Sequence, residues 1–270
     1  MLTIRRVLRF IQITDTHIGP TEDFTLYGKQ PLPIFRRLID QINALPFPID
    51  FVLHTGDVVD DLSAASYELY RDAIDALRVP IHHVAGNHDN AELLQTMVMA
   101  IDEPIARLDY AFEAGGTRFI VLDSRGPVDP CGLLEPSQLD WLREECTPAG
   151  PPLVIAMHHA LVPLDTPWLD APPPDWGEGR HMYVDNAAEV RAILSPARER
   201  IRAVLSGHVH CSFDVMRDGI LYAPAGSTFG PLLTLPNTDA VAADDAQGGM
   251  YRIISIDNDQ ITIRPRRIAL

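Results

Sequence analysis

Asp15 with His17, Asp57, Asn87 with His88, His158 with His159, and His208 with His210 are the side chains best suited to bind a metal or move a proton. Nearly every one directly follows a short apolar run. Asp15 and His17 follow Leu8 to Thr14, Asp57 follows Asp50 to His54, and Asn87 and His88 follow Pro80 to Ala85. The pair His158-His159 follows Leu153 to Met157, and His208 and His210 follow Arg202 to Leu205. Each has an ordinary reading when taken alone. An Asp-x-His after a strand is a common turn, Gly56-Asp57 is a plain loop start, and paired histidines fit a core. Their joint order is harder to dismiss, because the carboxyl ends of strands in an open α/β sheet form the crevice where ligands bind. All of them could converge at one edge.

The elements that must position them alternate short apolar runs with longer helical patterns, the rhythm of strands buried under helices. Arg118 to Leu122 adds a sixth run. Helical periodicity falls at Ile34 to Ala44, Ser66 to Leu77, Ser137 to Glu145 and Ala187 to Leu194. Pro136 sits just ahead of the third helix, where a first turn tolerates proline, and Pro196 stops the fourth. Beyond it, Phe213 to Tyr222 and Met250 to Arg264 read as antiparallel β, with Asp257-Asn258-Asp259 as a hairpin turn. Leu164 to Met182 and Phe229 to Gly249 read as long loops, and long loops in a compact domain are usually functional or disordered.

Bulk composition narrows the classes. A chain of 270 residues, 46% hydrophobic, can bury one large core, so one domain over 1–270 is expected. Acidic residues outnumber Lys and Arg 37 to 22, and the formal charge of -15 disfavours a nucleic acid polymer or an anionic membrane as partner. Three cysteines without Cys-x-x-Cys spacing support neither a disulfide framework nor a thiolate zinc site. The apolar stretch after Met1 is broken by Gln12 and Asp15 before a signal-peptide core could form, and no run nears the roughly 20 residues of a membrane span. A soluble, cytoplasmic protein is expected.

The ordered set Thr14-Asp15-Thr16-His17, Thr55-Gly56-Asp57, Gly86-Asn87-His88-Asp89, Met157-His158-His159 and Gly207-His208-Val209-His210 resembles the signature of the calcineurin-like metallophosphoesterases. The resemblance spans Phe10 to about Phe229. Its wording looks most like the bacterial class III cyclic nucleotide phosphodiesterases and related glycerophosphodiesterases. Purple acid phosphatases have Asp-x-Gly first and a tyrosine ligand where this chain has Asp60. Ser/Thr phosphatases end the third motif in Asn-His-Glu, whereas here it ends in Asp89.

The resemblance implies an α/β fold, a four-layer αββα sandwich of two mixed β-sheets flanked by helices. It also implies that Asp15, His17 and His210 hold one metal ion, that Asn87, His158 and His208 hold another, and that Asp57 bridges them. Oxygen and imidazole donors without thiolate suit two divalent or mixed-valence ions such as Fe, Mn, Zn or Co. Only Asp15 and Asp57 are anionic against a formal charge of about four, so the site should be electropositive, as a phosphate diester requires. The expected reaction is hydrolysis of a small phosphodiester, 3',5'-cyclic AMP or a glycerophosphodiester, by attack of a metal-bridging hydroxide.

In the family's pattern His88 lies beside the metals and serves the leaving oxygen as acid. Asn87, His88 and His210 would bind substrate, with Asp57 and His88 carrying the catalytic roles. Asp89 and His159 would sit behind the ligands and orient their imidazoles, with simple packing an equal reading for His159. His54, His82 and His83 fall within β-runs and read as core or surface positions. His181 lies in the proline-rich loop, and Trp168 or Trp176 could stack on a purine or simply pack. The two long loops would wall the pocket or form a subunit contact. The resemblance suggests a homodimer, which the residues themselves do not establish. A phosphomonoesterase and a non-catalytic scaffold of the same fold are the alternatives.

Overall fold

The computed structural model describes residues 7–171, 182–244 and 248–269. His181, Trp176 and parts of the two long loops lie outside them. The chain runs β1 (Leu8–Ile13), α1 (Pro31–Asn43), β2 (Phe51–His54), α2 (Ala64–Ile74), β3 (Ile81–His83), a short α3 (Ala91–Leu93) continued by a π-turn, and β4 (Tyr110–Ala114). Next come β5 (Thr117–Val121), α4 (Pro136–Glu145), β6 (Leu153–Ala156), α5 (Pro167–Asp170), α6 (Ala187–Leu194), β7 (Ile201–Ser206), β8 (Val215–Arg217), β9 (Ile220–Pro224), β10 (Met250–Asp257) and β11 (Gln260–Arg267).

Two mixed sheets result, ordered β11-β10-β1-β2-β3 and β4-β5-β6-β7-β9-β8. Leu8, Phe10, Phe51, Phe119, Val154 and Ile254 fill the layer between them. Phe35, Leu38, Tyr67 and Tyr70 of α1 and α2 cover the outer face of the first sheet. Leu139 and Leu142 of α4 and Val190 and Ile193 of α6 cover the second. This is the four-layer α/β sandwich that the motifs implied. Strands such as β2 and β6 are buried at every residue, which is why they read as unbroken apolar runs.

Helix starts follow local chemistry. α1 begins three residues before its apolar periodicity because Pro31 occupies the first turn, where its missing N–H costs nothing. α4 begins at Pro136 under a capping box between Glu135 and Gln138. Two features depart from the sequence reading. β4 has no counterpart there, although Gly115-Gly116, both left-handed, turn it back onto β5. The segment expected to be wholly antiparallel also splits. β8 and β9 pair antiparallel, but β9 runs parallel to β7. A short apolar run reads alike in either direction, so only the neighbouring strand decides.

Parallel pairing of β1 with β2 and β3, and of β5 with β6, β7 and β9, aligns the carboxyl ends within each sheet. Among the described residues no helix is long and apolar enough to cross a membrane.

Candidate metal centre

The turns after β1, β2, β3, β6 and β7 meet at one edge, and the expected donors meet there. His17 Nε2 lies 3.1 Å from His210 Nε2 and 3.6 Å from Asp57 Oδ2. His210 Nε2 lies 3.3 Å from Asp15 Oδ1. On the other side, His158 Nε2 is 3.1 Å from Asp57 Oδ2 and 3.2 Å from Asn87 Oδ1. Asp15, His17, Asp57 and His210 form one buried group with donor atoms within 4.8 Å of one another, and Asp57, His158 and His208 form a second that shares Asp57. Donors on neighbouring positions of one ion, each about 2.1 Å from it, lie about 3 Å apart, so these separations fit metal ligation.

Backbone and hydrogen bonds aim the rings. Asp15, His17, Asp57, His208 and His210 all have left-handed φ, between 45° and 69°. Asp and His tolerate that region better than most residues. Gly56, at φ +100°, lies where a Cβ would meet the His158 ring at 2.3 Å, and a Cβ on Gly86 would meet Asp57 Oδ1 at 2.2 Å. His158 Nδ1 donates to Thr55 O at 2.8 Å, which leaves Nε2 as the donor atom of the cluster. His17 Nδ1 bonds the Asp60 carboxylate at 3.1 Å, with the same result. The His208 amide donates to both Asp15 oxygens at 3.1 Å, and Ser227 Oγ donates to Asp15 O at 2.9 Å.

Charge follows from this packing. Burial works to raise the Asp15 carboxyl, but His210 and His158 outweigh it and leave the pKa at about 2. Burial likewise opposes the Asp57 carboxylate, and His158, His17 and His88 hold it well below the usual range. Burial opposes a charged His158, yet Asp57 and Asp15 push it up to about 9. Burial keeps His208 neutral, with help from His159 and His158.

His88 is half-buried at the cleft. Its Nδ1 donates to Asp60 O at 2.8 Å, and its amide donates to Asp57 Oδ1 at 2.9 Å. Burial works against its charge, but Asp57, the Asp60 carbonyl and the Asp60 charge raise its pKa. The His88 and His17 rings stand edge to face, 4.8 Å apart.

Hydrogen bonds define what Asp89 and His159 hold. Asp89 accepts from the amides of Val58, Val59 and Gly86 and from Tyr67 Oη, so it braces the turns that carry Asp57 and Asn87 rather than orienting an imidazole. His159 bonds Ser124 Oγ at 2.9 Å and Pro130 O at 2.8 Å, and its ring lies 4.4 Å from that of His208. His54 and His83 are buried. His54 bonds Thr16 Oγ1 and the Gly56 amide, linking the first two donor turns, and His83 bonds Tyr70 Oη. Trp168 is fully buried with Nε1 donating to Leu233 O, so it packs within the wall of the cavity over the donors.

A cavity of about 190 Å³ opens over the donors, walled by Leu26, Tyr27, Trp168, Met182, Leu232 and Val241. Sequence reasoning passed over Tyr27, an exposed aromatic whose ring lies parallel to Phe229. A tyrosine in an irregular loop carries no periodic signal. It also treated Asp60 only as a departure from other families, although its place three residues after Asp57 was the available clue.

A two-sheet sandwich that gathers oxygen and imidazole donors at one edge is the frame of a metal-dependent hydrolase. Residues 8–212 match the family model described as calcineurin-like phosphoesterase, and the chain belongs to that family. It is 29% identical over 219 residues to a 3',5'-cyclic adenosine monophosphate phosphodiesterase of Pseudomonas aeruginosa, covering 81% of this chain and 75% of the relative. It is 28% identical over 265 residues to one named alike from Vibrio vulnificus, covering 97% and 90%. A dimetal phosphatase from Danio rerio superposes with a TM-score of 0.65 at 16% identity over 97% of this chain and 99% of that one, a likeness of fold alone.

Proposed function

We propose that this enzyme is a phosphodiesterase that hydrolyses a small phosphate diester. A 3',5'-cyclic nucleotide such as cyclic AMP is the first candidate, and a glycerophosphodiester is the second. The observation that carries the reading is the approach of His158 from one sheet and His17 from the other to the shared Asp57 Oδ2, at 3.1 and 3.6 Å. The names of the bacterial relatives support the cyclic nucleotide.

Asp15, His17 and His210 would hold one ion, Asn87, His158 and His208 the other, and Asp57 would serve both. Divalent ions there would acidify water and polarise phosphoryl oxygens. The absence of thiolate among the donors suits Fe, Mn, Zn or Co, with affinity order alone unable to choose.

The chain's own residues do the rest. Asn87, His88 and His210 face the cleft and orient the phosphate. His88 donates its Nδ1 N–H to the Asp60 carbonyl, and as the imidazolium it would carry on Nε2 the proton that the leaving oxygen takes. Bound cations would oppose the rise in the His88 pKa. Leu26, Leu232 and Val241 keep water away from the reacting phosphate.

The test is a substrate panel with elemental analysis of the same sample. Cyclic AMP, glycerophosphodiesters, bis(p-nitrophenyl) phosphate and p-nitrophenyl phosphate are compared. Turnover of diesters with about two equivalents of metal is expected, whereas a clear preference for the monoester would overturn the diesterase reading. Among the described residues no disulfide joins the three cysteines, which fits the reducing cytoplasm as the proposed location.

A further inference from the structure

The layer between the sheets is apolar over most of its length, but two polar side chains enter it at the metal end. Gln12 on β1 and Arg252 on β10 are register partners across an antiparallel pair, and they are 0% and 2% exposed. Each reaches across to the other sheet. Gln12 Nε2 donates to Ser206 O at 3.1 Å and to Thr55 Oγ1 at 3.3 Å. Arg252 donates from Nη1 to Ala223 O at 2.9 Å and from Nη2 to Phe213 O at 3.1 Å. These partners frame the donor turns. Thr55 precedes Asp57, Ser206 precedes His208, and Phe213 follows His210.

Such burial is costly. The Asp214 carboxylate stands 3.7 Å from Arg252 and is itself exposed. Among the described residues, Gln12 Oε1 and Arg252 Nε have no hydrogen-bond partner. Replacing a buried, poorly paired charge by an apolar group of like volume is often neutral or stabilising, and Ser206 O keeps the bond from the Ala225 amide when Gln12 is replaced. Their place under the donor turns is therefore better explained by geometry than by stability.

We propose that Gln12 and Arg252 are positioning residues that tie the His208 to His210 turn of one sheet to the Asp15 and Asp57 turns of the other, setting the spacing of metal donors contributed by different sheets. The inference rests on the proposed metal centre. Arg252 lies beyond the residues that the family model covers, so the donor motif does not include it.

Gln12→Leu, Arg252→Met and the double variant test this, with metal-free protein titrated with Co(II) and the same samples unfolded in urea. The unfolding midpoint should stay at or above that of the unaltered protein. One of the two metal equivalents should bind roughly 10- to 100-fold more weakly, the scale of a lost outer partner, with a changed Co(II) spectrum. Arg252→Lys, which keeps the charge but not the fork, should lose part of that affinity. A double variant that binds both ions as tightly as the unaltered protein overturns the inference. So does one that fails to fold or loses midpoint and affinity together, because the pair is then merely structural. Unaltered protein that takes up no metal overturns the proposed function and this inference with it.

Discussion

Five of the seven proposed ligands hold a left-handed backbone, a conformation that costs on the order of 1–3 kcal/mol per residue and persists where the surroundings over-determine it. Here the bonds from the His208 amide to Asp15 and from the His88 amide to Asp57 fix those conformations and turn carboxylates and rings toward one point. Asp57 carries the most. Its Oδ1 holds the His88 amide while Oδ2 faces His17 and His158, so Asp57→Ala is expected to abolish uptake of at least one metal equivalent, as read by elemental analysis. His88→Ala should keep both equivalents yet lose roughly 10²- to 10⁴-fold in rate on cyclic AMP, the usual scale for a missing acid. The loss on bis(p-nitrophenyl) phosphate should be smaller, because p-nitrophenolate leaves without a proton. Equal losses on the two esters would exclude His88 as the acid.

At the scale of elements, the ends of strands do the positioning, and the residues just before the donors brace them. β3 shows what this demands of a buried imidazole. Burial, together with His82, pulls the His83 pKa down to about 3, while its ring bonds Tyr70 Oη at 3.0 Å. Unfolded, the same imidazole titrates near 6.5. Between those values the unfolded chain binds a proton that the folded chain does not. The stability contribution is therefore whole above about pH 6.5 and declines as pH falls toward 3, by about 1.4 kcal/mol per pH unit at most. Urea melts of metal-free protein from pH 7.5 to 5 should show a shallower pH slope for His83→Gln, which retains a partner for Tyr70. Parallel slopes in the two proteins would place the acid sensitivity elsewhere.

For the whole molecule, the two sheets stay in register because a run of aromatic rings fills the space between them. Phe119 stacks on Phe112 at 4.7 Å and meets Phe10 and Phe51 edge on at 5.4 and 5.3 Å. It is fully buried, so Phe119→Ala should cost about 3–5 kcal/mol of unfolding free energy. Metal stoichiometry at low temperature should survive, since no donor touches that ring. A drop in metal content without a drop in stability would show that the sheets slide rather than loosen.

The sequence by itself determined which residue types stand at the ends of which apolar runs, and hence the family, the α/β frame and the candidate donors. That much is legible because ligand chemistry restricts residue type, and because a buried strand or an amphipathic helix leaves its period in consecutive residues. Tertiary structure alone decided which donors share a point, for His17 and His210 lie 193 residues apart and meet only through the sheet order. It likewise decided that β9 lies parallel to β7, that Asp89 braces backbone, that Trp168 is buried and that Gln12 and Arg252 cross the layer. Each of these depends on a partner distant in the chain, and local periodicity carries no record of such a partner.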